Sequence, residues 1–191
     1  MTKKKKIIVA VTGASGSVYA ELLLKRLAQM KDEIEECALI FSPNGRSVWE
    51  FELGYAPDFS CVSHIRTVDV NNMFDATASG SAGYDSMIVV PCSMGTLARI
   101  STGVSDNLIS RAGDVMLKEK KPLIMVPRET PYNAIHLQNM LNLDKAGAYI
   151  FAASPFFYHK PHSIEELLNP FVERLLEKAG LSANLQKWTG K

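Results

Sequence analysis

Short apolar runs, each bounded by turn-forming residues, recur along the chain. β-Branched and aliphatic residues dominate these runs, and a run of that length and composition predicts a buried strand. The runs predict strands over 6–12, 38–41, 86–90, 123–126 and 149–152, with a further edge strand over 68–70. The rest of the segment 53–76 gives no assignment.

Between the predicted strands, apolar residues recur at helical spacing. Ala20, Leu23 and Leu27 predict a helix after the first strand. Ser42 can cap a second helix that runs to about residue 51, because the proline after it suits a first helical turn. The same reasoning predicts a short helix after residue 93, one capped by Asp106 that runs to about 118, and one from near 131 through 141.

The last predicted helix covers about 163–181. Ser163 and Glu166 have the spacing of a capping box, in which each side chain satisfies the other residue's free amide. Pro170 can kink this helix and Gly180 can end it.

Strands that alternate with helices from one end of the chain to the other predict an α/β fold. Because each strand is apolar almost throughout, we expect a parallel sheet covered by helices on both faces. The sequence has no internal repeat or linker, so residues 1–191 are predicted to form one domain with a basic tail over 1–5. In such folds ligands bind where the carboxyl ends of the strands meet helix N-termini.

Composition excludes several classes of protein. Of 191 residues, 47% are hydrophobic, and 21 lysines and arginines stand against 20 aspartates and glutamates. Four of the cations are the lysines at 3–6, and the remainder is slightly acidic, which does not suit a nucleic-acid-binding protein. No apolar run approaches the roughly 20 residues of a membrane span, and no signal peptide is indicated. We therefore expect a cytoplasmic protein with no membrane or nucleic-acid partner.

The cysteines and histidines do not indicate a metal site. Cys37, Cys61 and Cys92 are odd in number and far apart, so we expect reduced and mostly buried thiols. His159 and His162 have loop spacing, and the chain contains no H-E-x-x-H. A G-x-S-x-G nucleophile motif is also absent from the sequence.

Three polar loops could carry chemistry. The first, 12–17, offers glycines, hydroxyls and a helix N-terminus, which suit either a phosphate site or a tight turn, because it matches neither G-x-G-x-x-G nor a P-loop. The second, 91–96, also joins a strand to a helix, and together the two could hold one elongated ligand with a phosphate. The third, 79–81, fits a solvent loop as well as a ligand loop.

The stretch 127–131 places a cation and a carboxylate side by side at a strand end, between two prolines. Arg128 could bind a phosphate with two hydrogen bonds, and Glu129 could transfer a proton. Lys118, Tyr158 and Arg174 are further candidates. Taken singly, such side chains more often serve as solvated cations or packed phenols.

Several of these motifs and others occur together in one order. They are Gly13-Ala14-Ser15-Gly16, Ser79-Gly80-Ser81, Pro91-Cys92-Ser93-Met94-Gly95-Thr96-Leu97, Asp106-Asn107-Leu108, Arg111-Ala112, Leu117-Lys118-Glu119, Pro127-Arg128-Glu129-Thr130-Pro131 and Phe157-Tyr158. The combination resembles the UbiX/Pad flavin prenyltransferase family over roughly 6–52 and 78–181. The Pro-Arg-Glu-Thr-Pro stretch with its upstream lysine is specific to that family.

The resemblance implies a flavodoxin-like fold, a three-layer α/β/α arrangement around a central parallel sheet. It also implies a metal-independent enzyme that joins a dimethylallyl group from dimethylallyl phosphate to N5 and C6 of reduced FMN. The product, prenylated FMN, would go to a UbiD-type decarboxylase. Family members form dodecamers with sites at subunit junctions, so we expect a homo-oligomer in which some residues act on a neighbour's ligand.

Carried over by position, the resemblance implies two binding sets and a catalytic set. FMN would be held by Gly13, Ala14, Ser15, Ser42, Ser93, Met94, Gly95, Thr96 and Arg128. The prenyl phosphate would be held by Lys118, Arg128, Tyr158 and Arg174. The catalytic set would be Ser15, Glu52, Lys118 and Glu129, supported by Arg111, with the two glutamates handling protons. Cations and a phenol around the departing phosphate would stabilise its charge as magnesium does in other prenyltransferases.

Two features depart from the family pattern. The segment 53–76 offers no motif that aligns, and Arg99 stands where a small residue is expected, so the pocket wall or the subunit contacts could differ.

Other functions stay open. A flavin-dependent cysteine decarboxylase of the same fold would need a histidine soon after the first loop, and the first histidine here is His64. A non-catalytic FMN-binding subunit of a phenolic-acid decarboxylase would not need the set Lys118, Arg128, Glu129, Tyr158 and Arg174. A short-chain dehydrogenase is disfavoured because the chain has no Tyr-x-x-x-Lys.

Overall fold

A computed structural model describes residues 3–185 and places six strands in one parallel sheet. The strands are β1 (Lys5–Val11), β2 (Ile34–Phe41), β3 (Ile65–Val68), β4 (Ser86–Cys92), β5 (Leu123–Pro127) and β6 (Tyr149–Ile150), in the order β3-β2-β1-β4-β5-β6. The helices are α1 (Ser17–Ala28), α2 (Pro43–Leu53), α3 (Met94–Ser101), α4 (Leu108–Lys118), α5 (Ala134–Lys145) and α6 (Ile164–Lys178). The expected α/β fold with a central parallel sheet is confirmed.

Two apolar layers pack on opposite faces of the sheet. Side chains alternate between the faces of a strand, so Ile7 and Val9 of β1 join α1, α2 and α6, whereas Ile8 and Ala10 join α3, α4 and α5. All four of these side chains are fully buried. Helices on both faces explain why the central strands are apolar almost throughout.

Some strand boundaries differ from those predicted. The edge strand is β3, at Ile65–Val68, rather than 68–70. The last strand is only Tyr149–Ile150, rather than 149–152. The chain beyond it still follows β5, because the Phe151 and Ala153 amides donate to the Met125 and Pro127 carbonyls at 2.8 and 3.0 Å.

Helix boundaries differ where a capping side chain was misassigned. Asn107, not Asp106, caps α4 and accepts a hydrogen bond from the Ser110 amide at 3.1 Å. Asp106 pairs instead with Arg99, at 2.9 Å. α5 spans 134–145 instead of starting near 131, because the Asn133 side chain caps it. α2 extends two residues beyond the predicted 51.

The last helix is shorter than the predicted 163–181, and only half of its capping box forms. The Ser163 hydroxyl accepts from the Glu166 amide at 3.1 Å, but the Glu166 carboxylate accepts from the His162 amide, at 2.7 Å. Pro170 lies inside the helix, and Gly180 follows its end with a φ of 80°. Of the three cysteines, Cys37 and Cys92 are buried as expected, while Cys61 is exposed.

The sheet order defines the place where a ligand fits best. Chain progression runs from β1 outward to β2 and β3, then returns to the other side of β1 with β4. The crevice between the carboxyl ends of β1 and β4 is therefore the topological switch point, where open α/β sheets bind ligands. Within residues 3–185, no helix is both long and apolar enough to span a membrane.

Candidate active site

The loops that follow β1 and β4 are joined at the switch point by Thr12. This buried hydroxyl donates to the Pro91 carbonyl and accepts from the Ser93 amide, both at 2.8 Å. Thr12 was not among the predicted site residues. Its position could have indicated this role, because a threonine at the end of an otherwise apolar strand presents a hydroxyl at the strand end. The two predicted ligand loops are thus adjacent.

The first loop, 12–17, turns sharply because of its glycines. Gly16 has a φ of 111°, which side chains other than hydrogen rarely allow. At Gly13 a Cβ atom would lie 2.6 Å from the Cβ of Asn44, so only glycine lets this loop pass the start of α2. Within this loop, the side chain of Ala14 is buried and that of Ser15 is exposed.

Two helices start next to this loop and are capped by predicted site residues. Ser42 caps α2 by accepting from the Gly45 amide at 3.0 Å, and its own amide donates to the Val11 carbonyl at 2.9 Å. Ser93 caps α3 by accepting from the Thr96 amide at 3.3 Å. The amides of Met94 and Gly95 open α3, where a helix has no internal acceptors for them. These groups suit an anionic or polar ligand.

Glu52 lies across the N-terminus of α1. Its carboxylate accepts hydrogen bonds from the Ser17 amide at 2.8 Å and the Gly16 amide at 3.0 Å. Burial raises the pKa of this carboxyl group, but the hydrogen bonds from the Ser15 hydroxyl and the two amides outweigh that effect, so its pKa lies below the usual value. Glu52 is therefore an ionised group beside the first loop, next to Ser15.

Arg128 reaches the same loop from the end of β5. Its Nε donates to the Ser15 carbonyl at 2.9 Å, and its amide donates to the Cys92 carbonyl at 3.3 Å. The next residue, Glu129, accepts from the Thr130 amide at 3.0 Å. Within the described chain, Arg128 and Glu129 form no ion pair with each other, although they are adjacent in sequence. The guanidinium is thus directed toward the switch point.

Tyr158 and Arg174 meet through a third residue, Phe156. The Tyr158 ring stacks on Phe156 with centroids 5.2 Å apart, and the Arg174 guanidinium carbon lies 5.6 Å from the Phe156 centroid. Arg174 and Phe156 also line a cavity of about 300 Å³ beside the end of β6, with Phe171 at its wall. The cavity starts where β6 ends and β6 runs parallel to β5, so this cluster lies at the same carboxyl end of the sheet as Arg128.

Lys118 does not join these residues within one copy of the chain. It ends α4, immediately before β5 begins, so the length of β5 separates it from Arg128, roughly 16 Å for five residues. The loop 79–81 lies at the same end as Lys118, where the Glu119 carboxylate packs against Gly80. Arg111 is on the same side and donates from Nε to the Ala78 carbonyl at 3.1 Å. The predicted site residues therefore form two groups, one at the carboxyl ends of the strands and one toward their amino ends.

Arg99 lies beside the second loop. Its Nη1 is 3.2 Å from where a Cβ of Gly95 would stand, and Nε pairs with Asp106. This side chain therefore forms part of the wall around the start of α3. The segment 53–76 supplies the edge strand β3 and two loops, and Tyr55 from it hydrogen-bonds Glu21 of α1.

Over residues 3–185, no three or more His, Cys, Asp or Glu side chains lie close enough to hold a metal ion. The candidate site consists of hydroxyls, helix-start amides, an arginine and two carboxylates.

An α/β sheet with polar loops at its switch point is typical of proteins that bind flavins or nucleotides. A sequence model of the family described as Flavoprotein matches residues 1–186. The chain belongs to this family of flavoproteins.

Within that family, the chain is a member of the UbiX flavin prenyltransferases. It is 42% identical over 188 residues to flavin prenyltransferase UbiX of Chlamydia pneumoniae, with 96% of each chain covered. It is 41% identical over 187 residues to the enzyme of the same name from Methanocaldococcus jannaschii, with 97% and 98% covered. The resemblance seen in the sequence is confirmed.

Solved structures agree with this assignment. AnUbiX in complex with FMN and dimethylallyl pyrophosphate is 39% identical, with a TM-score of 0.89 over 99% of this chain and 100% of that chain. A dodecameric FMN-dependent UbiX-like decarboxylase from Escherichia coli is 36% identical, with a TM-score of 0.90 over 97% and 100%. The peptidyl-cysteine decarboxylase EpiD, at 16% identity and a TM-score of 0.62, shares the fold alone.

Proposed function

We propose that this chain joins the dimethylallyl group of dimethylallyl phosphate to N5 and C6 of reduced FMN, without a metal ion. The contact between Arg128 and Ser15 carries the proposal, because it brings the predicted phosphate-binding cation onto the predicted FMN loop at 2.9 Å. Family membership and the ligands of AnUbiX support the same reaction.

The donor groups at the switch point fit the chemistry of FMN. Its phosphate and ribityl oxygens are acceptors, and the starts of α1, α2 and α3 offer amides and hydroxyls at one edge of the sheet. We assign Gly13, Ala14, Ser15, Ser42, Ser93, Met94, Gly95, Thr96 and Arg128 to FMN binding. Bound reduced FMN would supply the nucleophilic N5 and C6 atoms.

Arg128, Tyr158 and Arg174 would bind the prenyl phosphate. Phosphate leaves with the electron pair of the broken carbon–oxygen bond, and fixed positive charge at its oxygens stabilises that departure. A guanidinium keeps its charge at any working pH and can form two parallel hydrogen bonds to phosphate. The phenylalanines that line the cavity next to Arg174 would shield the allyl group from water.

Two carboxyl groups would handle protons. Glu129 follows Arg128 directly and would protonate the departing phosphate. One proton would leave N5 and one would leave C6 of the flavin as the two new bonds form, and the prenyl double bond would take up one proton as the ring closes. Glu52 is held ionised by its hydrogen bonds next to Ser15, so it would accept one of the flavin protons through Ser15. The two glutamates thereby act on different parts of the reaction.

Lys118 and Arg111 would act on the substrate of a neighbouring copy. Lys118 lies before the amino end of β5, whereas Arg128 follows its carboxyl end, and Arg111 belongs to the same helix as Lys118 and contacts the Ala78 carbonyl beside the loop 79–81. The dodecameric assembly of the Escherichia coli relative supports a homo-oligomer in which the two groups meet. We further propose that the protein works in the cytoplasm and that a UbiD-type decarboxylase consumes the product.

The test is an anaerobic reaction of the purified protein with reduced FMN and dimethylallyl phosphate, without added metal, followed by mass analysis of the flavin. We expect a gain of one C5 prenyl unit. Arg128→Ala and Glu129→Gln should each lower kcat/KM by about 100-fold or more, as removal of a charged transition-state contact does. Glu50→Gln, an exposed carboxylate on α2, is the matched control and should leave the rate unchanged.

Other outcomes identify the alternatives. Unmodified FMN from a folded, flavin-loaded protein would favour a non-catalytic FMN-binding subunit of a decarboxylase. Turnover of a peptidyl-cysteine substrate would favour the cysteine decarboxylases. Unchanged turnover in Glu129→Gln would contradict the role of Glu129 alone.

A further inference from the structure

α6 contains Pro170 in its interior, and this leaves one helical carbonyl without its usual donor. In a regular helix the amide of residue 170 would donate to the carbonyl of Glu166, four positions earlier. Proline has no amide hydrogen. The Glu166 carbonyl instead lies 3.0 Å from Nε2 of His159. Because a carbonyl only accepts, Nε2 is the nitrogen of this ring that carries hydrogen.

His159 also ends the segment that carries Tyr158. Its ring packs edge-on against Tyr158, with centroids 5.8 Å apart, and against Phe156 at 6.3 Å. Phe156 in turn contacts Tyr158 on one side and the Arg174 guanidinium on the other. Arg174 lies one helical turn beyond Pro170. The hydrogen bond of His159 thus joins the segment 156–159 to the helix that carries Arg174.

Both phosphate-binding candidates of this cluster are exposed, and they come from different parts of the chain. Their separation therefore depends on how the segment 156–159 is held against α6. Nδ1 of His159 is buried without a hydrogen-bond partner in the described structure, so the bond from Nε2 is the polar contact that orients this ring.

We propose that His159 is a positioning residue for the prenyl phosphate. By donating to the carbonyl that Pro170 leaves free, it fixes the segment 156–159 on α6 and keeps Tyr158 and Arg174 at the separation that the phosphate needs. This inference rests on the function proposed above.

The test uses three variants of the full-length protein. His159→Phe keeps an aromatic ring but removes the donor, whereas His159→Gln retains an amide donor of similar reach. The double variant His159→Phe with Pro170→Ala returns a helical amide to the Glu166 carbonyl. His162→Gln, at an exposed histidine three residues further along the chain, is the matched control.

We expect His159→Phe to raise KM for dimethylallyl phosphate about five- to tenfold, the effect of losing one hydrogen bond. The Kd for FMN and kcat should stay within about twofold, and His159→Gln should recover most of the KM. In the double variant the midpoint of thermal unfolding should return toward the wild-type value, because Glu166 has a donor again, while KM stays raised.

A KM that returns to the wild-type value in the double variant would overturn the proposal, because His159 would then serve only the helix. An unchanged KM in His159→Phe would overturn it as well. If the wild-type protein makes no prenylated FMN, the proposed function fails instead. The unfolding midpoints would still show whether His159 replaces the missing amide at Pro170.

Discussion

Glu52 lies in the last turn of α2, yet its carboxylate caps α1. It accepts from the amides of Gly16 and Ser17, which are among the groups that a helix N-terminus leaves without internal acceptors. The partial positive charge of that terminus favours an anion, and the hydrogen bonds hold the pKa of Glu52 below its usual value. The side chain that fixes the first loop is thus also the one placed to exchange a proton with Ser15.

Glu52→Gln should therefore change how stability depends on pH. The folded-state pKa is lowered from 4.5, so the charge of Glu52 stabilises the fold at higher pH and this contribution is lost as pH falls through the folded-state pKa. We expect the variant to be less stable by about 0.3–1 kcal/mol at pH 7, and the difference to shrink progressively below pH 4.5. Urea unfolding at pH 7, 5, 4 and 3 measures this.

The control for this series is Glu50→Gln, which removes a neighbouring charge that caps no helix. A stability difference for Glu52→Gln that stays constant over the whole pH range would contradict the assigned electrostatic role.

At the scale of elements, one polar network fixes the edge strand β3 to the sheet. Arg66 of β3 bonds Glu36 of β2 at 2.8 Å and Asp75 at 2.7 Å, and the buried Tyr84 hydroxyl donates to Glu36 at 2.6 Å. Burial raises the pKa of Glu36, but the hydrogen bonds from Tyr84 and Arg66 lower it by more than burial raises it. The pKa therefore lies below the usual value, and the carboxylate stays ionised. The network also anchors the chain that leads to the loop 79–81.

Tyr84→Phe tests this network. The variant keeps the buried ring but removes the hydroxyl from a partly buried carboxylate, so we expect a loss of about 1 kcal/mol in the free energy of unfolding. Chemical denaturation measures the loss. Tyr149→Phe, at an exposed ring, is the matched control and should be neutral. Equal stability of Tyr84→Phe and the wild type would mean that water replaces the hydroxyl without cost.

Individual elements show which parts of the fold the sequence predicts and which it does not. Buried strands such as β1 and β4 follow from local apolar runs, because both faces of a parallel sheet need apolar side chains. The cap of α4 was wrong because Asp106 and Asn107 are both good caps and stand next to each other, and the structure has Asn107 in the capping position with Asp106 paired to Arg99. The role of His159 depends on Pro170, eleven residues away, and had no local signal.

Family motifs predicted the members of the site, and the structure shows which of them lie near one another in one copy. Arg128 donates to the Ser15 carbonyl, and Glu52 accepts from the two amides that follow Ser15. Lys118 ends α4 just before β5 begins, so the order of helix and strand along the chain already places it at the amino end of β5, whereas Arg128 follows the carboxyl end. Family motifs identified the members of the set, and the alternation of helix and strand separates them within one copy.

At the scale of the whole molecule, the proposed division of the site would make activity a property of the assembly. Lys118 and Arg128 lie at opposite ends of β5, and a symmetric oligomer can bring the two ends from neighbouring copies together. Apolar side chains exposed on α5, at Ile135, Leu137 and Leu141, are consistent with contacts between copies. Each complete site would then contain residues from more than one copy.

Mixed assemblies of two inactive variants test this arrangement. Lys118→Ala and Arg128→Ala should each be inactive alone, but co-expression should restore activity, because a copy with intact Arg128 can meet a neighbour with intact Lys118. If each site takes the two residues from two copies chosen at random, about a quarter of the sites would be complete. Prenylated FMN formed per protein chain, compared with the wild type, gives this fraction.

The matched control co-expresses Lys118→Ala with the variant that carries both changes, where no pairing can complete a site. Activity from the first mixture alone would assign Lys118 to a neighbour's substrate, since no rearrangement within one copy supplies both side chains. Differently tagged copies, purified in tandem, establish that the assemblies are mixed. Inactivity of such assemblies would mean that Lys118 and Arg128 must come from the same chain, and the proposed division of the site would be wrong.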